Sequence, residues 1–219
     1  MDNRPIGVFD SGIGGLTVVD ALAKRLPKET IVYVGDTARV PYGNKSKNRI
    51  QQYAQEITAW LSKKDCKITI VACNTASALA LKYLEATFSM PIIGVIESGV
   101  NKGIQMSQNN KIAVLGTPAT IRSNAYVERI NAVKPEAFVI SQACPLFVPL
   151  AEEGWTEGKI PNQIADHYLT AIKKCGIDTV ILGCTHYPLL KKTIGKSLGE
   201  NVNLVDSSDV VVKTVISTL

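Results

Sequence analysis

The chain has 219 residues, 46% hydrophobic and 20% charged, with a net charge of +5 and a pI near 8.9. That balance suits a globular core and excludes a disordered or fibrous chain, and no apolar run is long enough for a membrane span. The opening Met1-Asp2-Asn3-Arg4-Pro5 does not read as a signal peptide, and five cysteines without disulfide-like spacing point to a reducing, cytoplasmic setting. The basic residues are scattered. Their densest groups, Lys45-Lys47-Arg49 and Lys63-Lys64-Lys67, read as solvated helix faces without interleaved aromatics, so nucleic acid is not an expected partner and a small anionic substrate suits the charge better.

In chain order, Ile6-Gly7-Val8-Phe9 predicts a short strand running into Asp10-Ser11-Gly12-Ile13-Gly14-Gly15, with a helix over about Leu16 to Arg25 that stops before Pro27. The glycine spacing fits neither a dinucleotide fingerprint nor a Walker loop, but it lets backbone N–H groups approach something small and anionic. Asp10 at the strand tip is a candidate acid, base or orienting group, or simply a helix cap. Ile31-Val32-Tyr33-Val34 reads as a second strand. A turn-rich loop, Gly35 to Gly43, follows, and then an amphipathic helix over about Lys47 to Lys63 whose apolar stripe is core. The apolar run Ile68 to Val71 predicts a strand ending at Ala72-Cys73-Asn74-Thr75, with a helix from Ala76 to Thr87. Pro91 to Ile96 predicts a fourth strand ending at Glu97-Ser98-Gly99.

Past the polar stretch Ser107 to Lys111 the order recurs. Ile112 to Thr117 repeats the first strand and loop, with Thr117 and Thr120 where the glycines stood. Phe138-Val139-Ile140 leads to Gln142-Ala143-Cys144-Pro145, and Pro149 to Gly154 supplies the carboxylates Glu152 and Glu153. A helix from about Asn162 to Lys174 precedes the strand Thr179 to Leu182, which ends at Gly183-Cys184-Thr185-His186. Val202 to Val205 ends at Asp206-Ser207-Ser208. The two copies lie about 110 residues apart, the step from Cys73 to Cys184. Alternating strands and helices imply parallel sheets. The expected fold is therefore α/β: two similar parallel-sheet lobes related by a pseudo-twofold, with the site in the cleft between them. The expected lobes are residues 1–98 with a returning helix 207–219, and residues 99–206.

A lone cysteine at a strand end is more often a small buried hydrophobe than a nucleophile. Two at equivalent positions of two similar halves point instead to one site with a sulfur on either side. Their separation and the absence of Cys-x-x-Cys spacing fit zinc poorly, no metal cluster is evident, and no lysine stands out for pyridoxal, so neither metal nor cofactor is expected. Two opposed thiols can act as general bases on opposite faces of one carbon, which is the requirement for inverting a stereocentre. Helix N-termini would bring their pKa values toward the working pH, with Asp10 and His186 holding or relaying protons. Ser11, Asn74, Thr75, Thr117, Thr185 and loop N–H groups would stabilise the carbanion. Cys66, Cys144 and Cys175 read as packing, and His167 as a surface residue.

The motifs Asp10-Ser11-Gly12-Ile13-Gly14-Gly15, Val40-Pro41-Tyr42-Gly43, Ala72-Cys73-Asn74-Thr75-Ala76 and Gly183-Cys184-Thr185-His186-Tyr187-Pro188 together resemble glutamate racemases, in the right order over nearly the whole chain. The resemblance implies cofactor-independent interconversion of L- and D-glutamate, supplying D-glutamate for bacterial peptidoglycan. It implies Cys73 and Cys184 as the two bases, Asp10 assisting Cys73, and His186 and Glu152 near Cys184. Asp10, Ser11, Tyr42, Gly43, Asn74, Thr75, Thr117, Thr185 and His186 would hold the substrate. It leaves a homodimer open as a further partner, and DNA gyrase, which some such racemases bind, although no residue here speaks for gyrase. Members usually continue past the helix that begins near Asp209, whereas this chain stops at Leu219, which would expose an apolar patch on the first lobe. The rival readings are a two-cysteine racemase for aspartate or a hydantoin, and a thiol redox protein.

Overall fold

A computed structural model describes residues 2–219. The first sheet contains β1 (Ile6–Asp10), β2 (Ile31–Gly35), β3 (Ile68–Val71) and β4 (Ile92–Gly94) in the order β2-β1-β3-β4, all parallel. The second contains β5 (Lys111–Gly116), β6 (Phe138–Ala143), β7 (Thr179–Gly183) and β8 (Asn203–Asp206) in the order β6-β5-β7-β8, again all parallel. The internal repeat therefore extends to topology. Central strands buried on both faces need continuous apolar runs, and β1, β3 and β7 are buried at every position.

Helices cover both faces of each sheet. In the first lobe α1 (Leu16–Arg25) and α10 (Ser208–Thr218) pack Val18, Leu22, Val211, Val212 and Val215 against Ile6, Val8, Ile68 and Ile70. On the other face α2 (Lys47–Lys63) and α3 (Asn74–Thr87) supply Ile50, Ala54, Leu61, Ala76, Ala80 and Leu84. In the second lobe α4 (Ile96–Met106) and α6 (Ala125–Val133) close one face through Val100, Tyr126 and Ile130. The other face receives α7 (Phe147–Glu152), α8 (Lys159–Lys174) and α9 (Lys191–Leu198), with Phe147, Ala165, Leu169, Ile172 and Ile194. Each fully buried Leu, Ile or Phe among these contributes about 1.5–3 kcal/mol.

Several element boundaries differ from the sequence reading. The helix after the first cysteine starts at Asn74, not Ala76, and Cys73 occupies its N-cap. The strand expected to run to Ile96 ends at Gly94. Ile96, Glu97, Ser98 and Gly99 form the first turn of α4, held by the Gly99 N–H on the Val95 carbonyl at 3.1 Å. A run of β-branched residues fits strand or buried helix equally, and tertiary packing decided here. Glu97 consequently pairs with Arg129 at the surface. Two helices between β5 and β6, α5 (Pro118–Arg122) and α6, were not resolved by sequence pattern; Thr117 caps α5 and Pro118 opens it. Lys67, read with Lys63 and Lys64 as a solvated face, lies beyond α2, and its nearly buried ammonium sits 2.6 Å from Glu29 and 2.8 Å from the Asp2 carbonyl.

Candidate active site

In both sheets the strand order reverses direction between the first and third strands, so the crevice at their C-terminal ends is where ligands bind in open α/β sheets. At that point β1 delivers Asp10 and Ser11, and β3 delivers Cys73. The equivalent ends of β5 and β7 deliver Thr117 and Cys184. The two switch points face one another across a cavity of about 20 Å³, lined by Ser11, Val40, Pro41, Tyr42, Gly43, Cys73, Asn74, Thr75, Thr117, Val148, Cys184, Thr185 and His186. Every residue singled out from the sequence lies on this wall except Asp10 and Glu152. A much larger groove, about 960 Å³, passes Lys47, Lys82, Glu97 and Arg129 and touches neither cysteine.

On the first-lobe side, the Cys73 thiol donates to Ser11 Oγ at 3.7 Å. Asp10, fully buried behind the wall, accepts from the Gly12 N–H at 3.0 Å and from Thr185 Oγ1 of the second lobe at 3.3 Å. Its role is thus to tie the loop and the opposite lobe, not to cap α1, whose N-cap is Gly15. On the second-lobe side, Cys184 Sγ lies 3.8 Å from His186 Nδ1, and Glu152 Oε1 lies 3.2 Å from His186 Nε2. That last distance is within ion-pair range, but the geometry is too poor for a hydrogen bond, and Nε2 is otherwise unpartnered. Cys184, His186 and Glu152 thus stand in order from the buried sulfur to the partly exposed carboxylate.

The lobes meet closely here. A methyl group on Gly14 would collide with Thr185 Oγ1 and stand 2.9 Å from His186 Nδ1. Thr75 of the first lobe and Thr117 and Thr120 of the second form a triangle of hydroxyls 2.9 to 3.0 Å apart. Tyr42 donates to the buried Asp36 carboxylate, which Arg39 also grips, and this network holds the Val40 to Gly43 loop over the cavity. Thr120 and Asp36 belong to this architecture, and Tyr126 crosses between the lobes to donate to Asn74 Oδ1, yet the sequence pattern marks none of the three as site residues. In sequence Thr120 reads as a loop residue and Asp36 as part of a turn, and no spacing marks Tyr126.

Electrostatics correct one expectation. Burial pushes the Cys73 thiol up to about 12, with the Asp10 charge adding to it; the Ala76 N–H and the Ser11 contacts only offset part of the rise. Burial likewise raises Cys184, against the N–H groups of His186 and Tyr187. Helix and turn N–H groups alone do not bring either thiol toward neutrality, because desolvation of the anion in this closed cleft outweighs them. Burial therefore favours the protonated form of both thiols. Cys66 and Cys144 are buried packing residues, as expected, and His167 is exposed. Among the described residues no group of three His, Cys, Asp or Glu side chains is placed to hold a metal, and no helix is long and apolar enough to cross a membrane.

Two opposed thiols at matching strand ends of duplicated lobes are the arrangement expected of a two-base racemase, and residues 6–215 match the Asp/Glu/Hydantoin racemase family. The chain belongs to that family. Within it, the chain is 54% identical over 204 residues to the glutamate racemase of Aquifex pyrophilus, covering 93% of this chain and 79% of that relative. The crystal structure of the Francisella tularensis glutamate racemase in complex with D-glutamate superposes with a TM-score of 0.94 at 45% identity, covering 100% of this chain and 82% of that one. The Escherichia coli glutamate racemase, solved with L-glutamate and the activator UDP-MurNAc-ala, gives a TM-score of 0.83 at 29% identity over 98% and 82% of the two chains. The two-lobed fold is that of these racemases.

Proposed function

We propose that this chain is a glutamate racemase that interconverts L- and D-glutamate without a cofactor, using Cys73 and Cys184 as alternating bases, and that its product serves peptidoglycan synthesis in a bacterial cytoplasm. The observation that carries the reading is the placement of both thiols on the wall of one cavity, one from each lobe. With L-glutamate bound, the Cys184 thiolate removes the α-proton and the Cys73 thiol delivers a proton to the opposite face. The products are D-glutamate, a Cys184 thiol and a Cys73 thiolate. The reverse reaction exchanges the two roles.

Each turnover needs one thiolate, which burial of the two sulfurs disfavours. The substrate ammonium adds the positive charge that lowers a nearby thiol's pKa, and His186 with Glu152 gives the Cys184 proton somewhere to go. The Asp10 charge disfavours the anion at both Cys73 and Cys184. Ser11, Asn74, Thr75, Thr117 and Thr185 offer the hydrogen bonds that hold the carboxylates and the developing carbanion. The two lobes, which divide at the start of α4 near residue 96 and again near residue 207, must part to admit the substrate, since about 20 Å³ holds no more than a water molecule.

The test is circular dichroism of L-glutamate incubated with the purified protein and no added cofactor. The signal should decay to zero, while L-aspartate under the same conditions keeps its signal. Stable L-glutamate, or faster loss of L-aspartate, would overturn the assignment.

A further inference from the structure

We propose that Tyr126 is a positioning residue that fixes which face of the Asn74 carboxamide meets the substrate. Tyr126 stands on α6 of the second lobe and is 2% exposed. Its ring lies against the strand end that carries Cys184: a Cβ on Gly183 would stand only 3.1 Å from Tyr126 Cε2. Its hydroxyl crosses to the first lobe and donates to Asn74 Oδ1 at 2.5 Å. Asn74 is the residue after Cys73 and lines the cavity. One side chain thus touches the neighbour of each cysteine.

The direction of that hydrogen bond carries the inference. Burial raises the Tyr126 phenol further above its ordinary range, so it is neutral and can donate. A carboxamide has one acceptor oxygen and one donor nitrogen. With Oδ1 held by Tyr126, the nitrogen is the end left for the cavity that Asn74 lines. An N–H donor suits a substrate carboxylate, whereas a flipped amide would present an oxygen to it and repel it. The bond spans the lobes and ties the orientation of Asn74 to α6 of the second lobe.

This inference rests on the glutamate racemase reading, and a wild-type protein that fails to racemise glutamate defeats that reading, not this one. Tyr126→Phe keeps the ring and its packing but loses the donor. It should raise KM for both enantiomers about tenfold with kcat within about threefold, the signature of binding lost equally in ground and transition states. In an Asn74→Ala background the same change should alter KM by less than about twofold, because Tyr126 acts only through Asn74. Asn74→Asp keeps an acceptor for Tyr126 and replaces the donor by oxygen, so its KM should rise as much as that of Asn74→Ala. An unchanged KM in Tyr126→Phe, an equal rise in both backgrounds, or near-normal KM in Asn74→Asp would each overturn the proposal. Should Tyr126→Phe fold poorly, Tyr126→Met, which also lacks the donor, takes its place in the same comparison with and without Asn74→Ala.

Discussion

At the residue scale, the identities of the chemical groups were legible because their types and neighbours are unusual: two Cys-Thr or Cys-Asn-Thr strand ends, an Asp-Ser glycine loop, and a histidine two residues after a cysteine. Their protonation was not legible, because desolvation depends on how tightly two distant parts of the chain close over each other. The native Cys73 thiol keeps its proton up to about pH 12, whereas the unfolded thiol gives it up near its ordinary value of 9.0. Above pH 9 the unfolded state therefore binds fewer protons than the folded state, and stability falls as pH rises toward 12. Cys73→Ser removes that contribution. Between pH 9 and 10.5 the wild type should lose about 1 kcal/mol more per pH unit than Cys73→Ser in urea unfolding, with no such divergence below pH 8. Equal slopes would mean that the folded thiol is not held neutral. The same substitution, or Cys184→Ser, should lower kcat/KM by at least about 10³-fold, since serine is a far weaker base.

At the element scale, strands and amphipathic helices were readable wherever the apolar period was long, as in β3, β7 and α2. Short segments escaped. The helix α5 has five residues and α7 has six, too few for a period to show, and α4 began inside a run that also fits a strand. The loop after β1 was legible as a close-approach loop, but what it approaches was not, since Thr185 and His186 arrive from the other lobe. Gly14→Ala tests that contact. The added methyl group meets Thr185 and His186 in the folded structure, so the loop and the opposite lobe must shift to seat it, and kcat/KM should fall at least about tenfold, as small misplacements at a catalytic site do. Unchanged kinetics would show that turnover does not need the lobes this close.

At the scale of the whole molecule, the duplication visible in the spacing of Cys73 and Cys184 became two sheets of matching strand order with their switch points opposed. What spacing cannot reveal is the set of cross-lobe contacts that make one site of two halves: the Thr75, Thr117 and Thr120 hydroxyls, Thr185 on Asp10, and Tyr126 on Asn74. These contacts bring the two halves together around Cys73 and Cys184, and a thiol can hold only one proton. The most direct measurement follows the α-hydrogen in heavy water. Starting from L-glutamate, the D-glutamate formed should carry deuterium at the α-carbon from its first appearance, while recovered L-glutamate stays largely protiated early in the reaction. Protium passing from substrate into the first D-glutamate formed would mean that one group both takes and returns the proton, and would contradict the two-base arrangement.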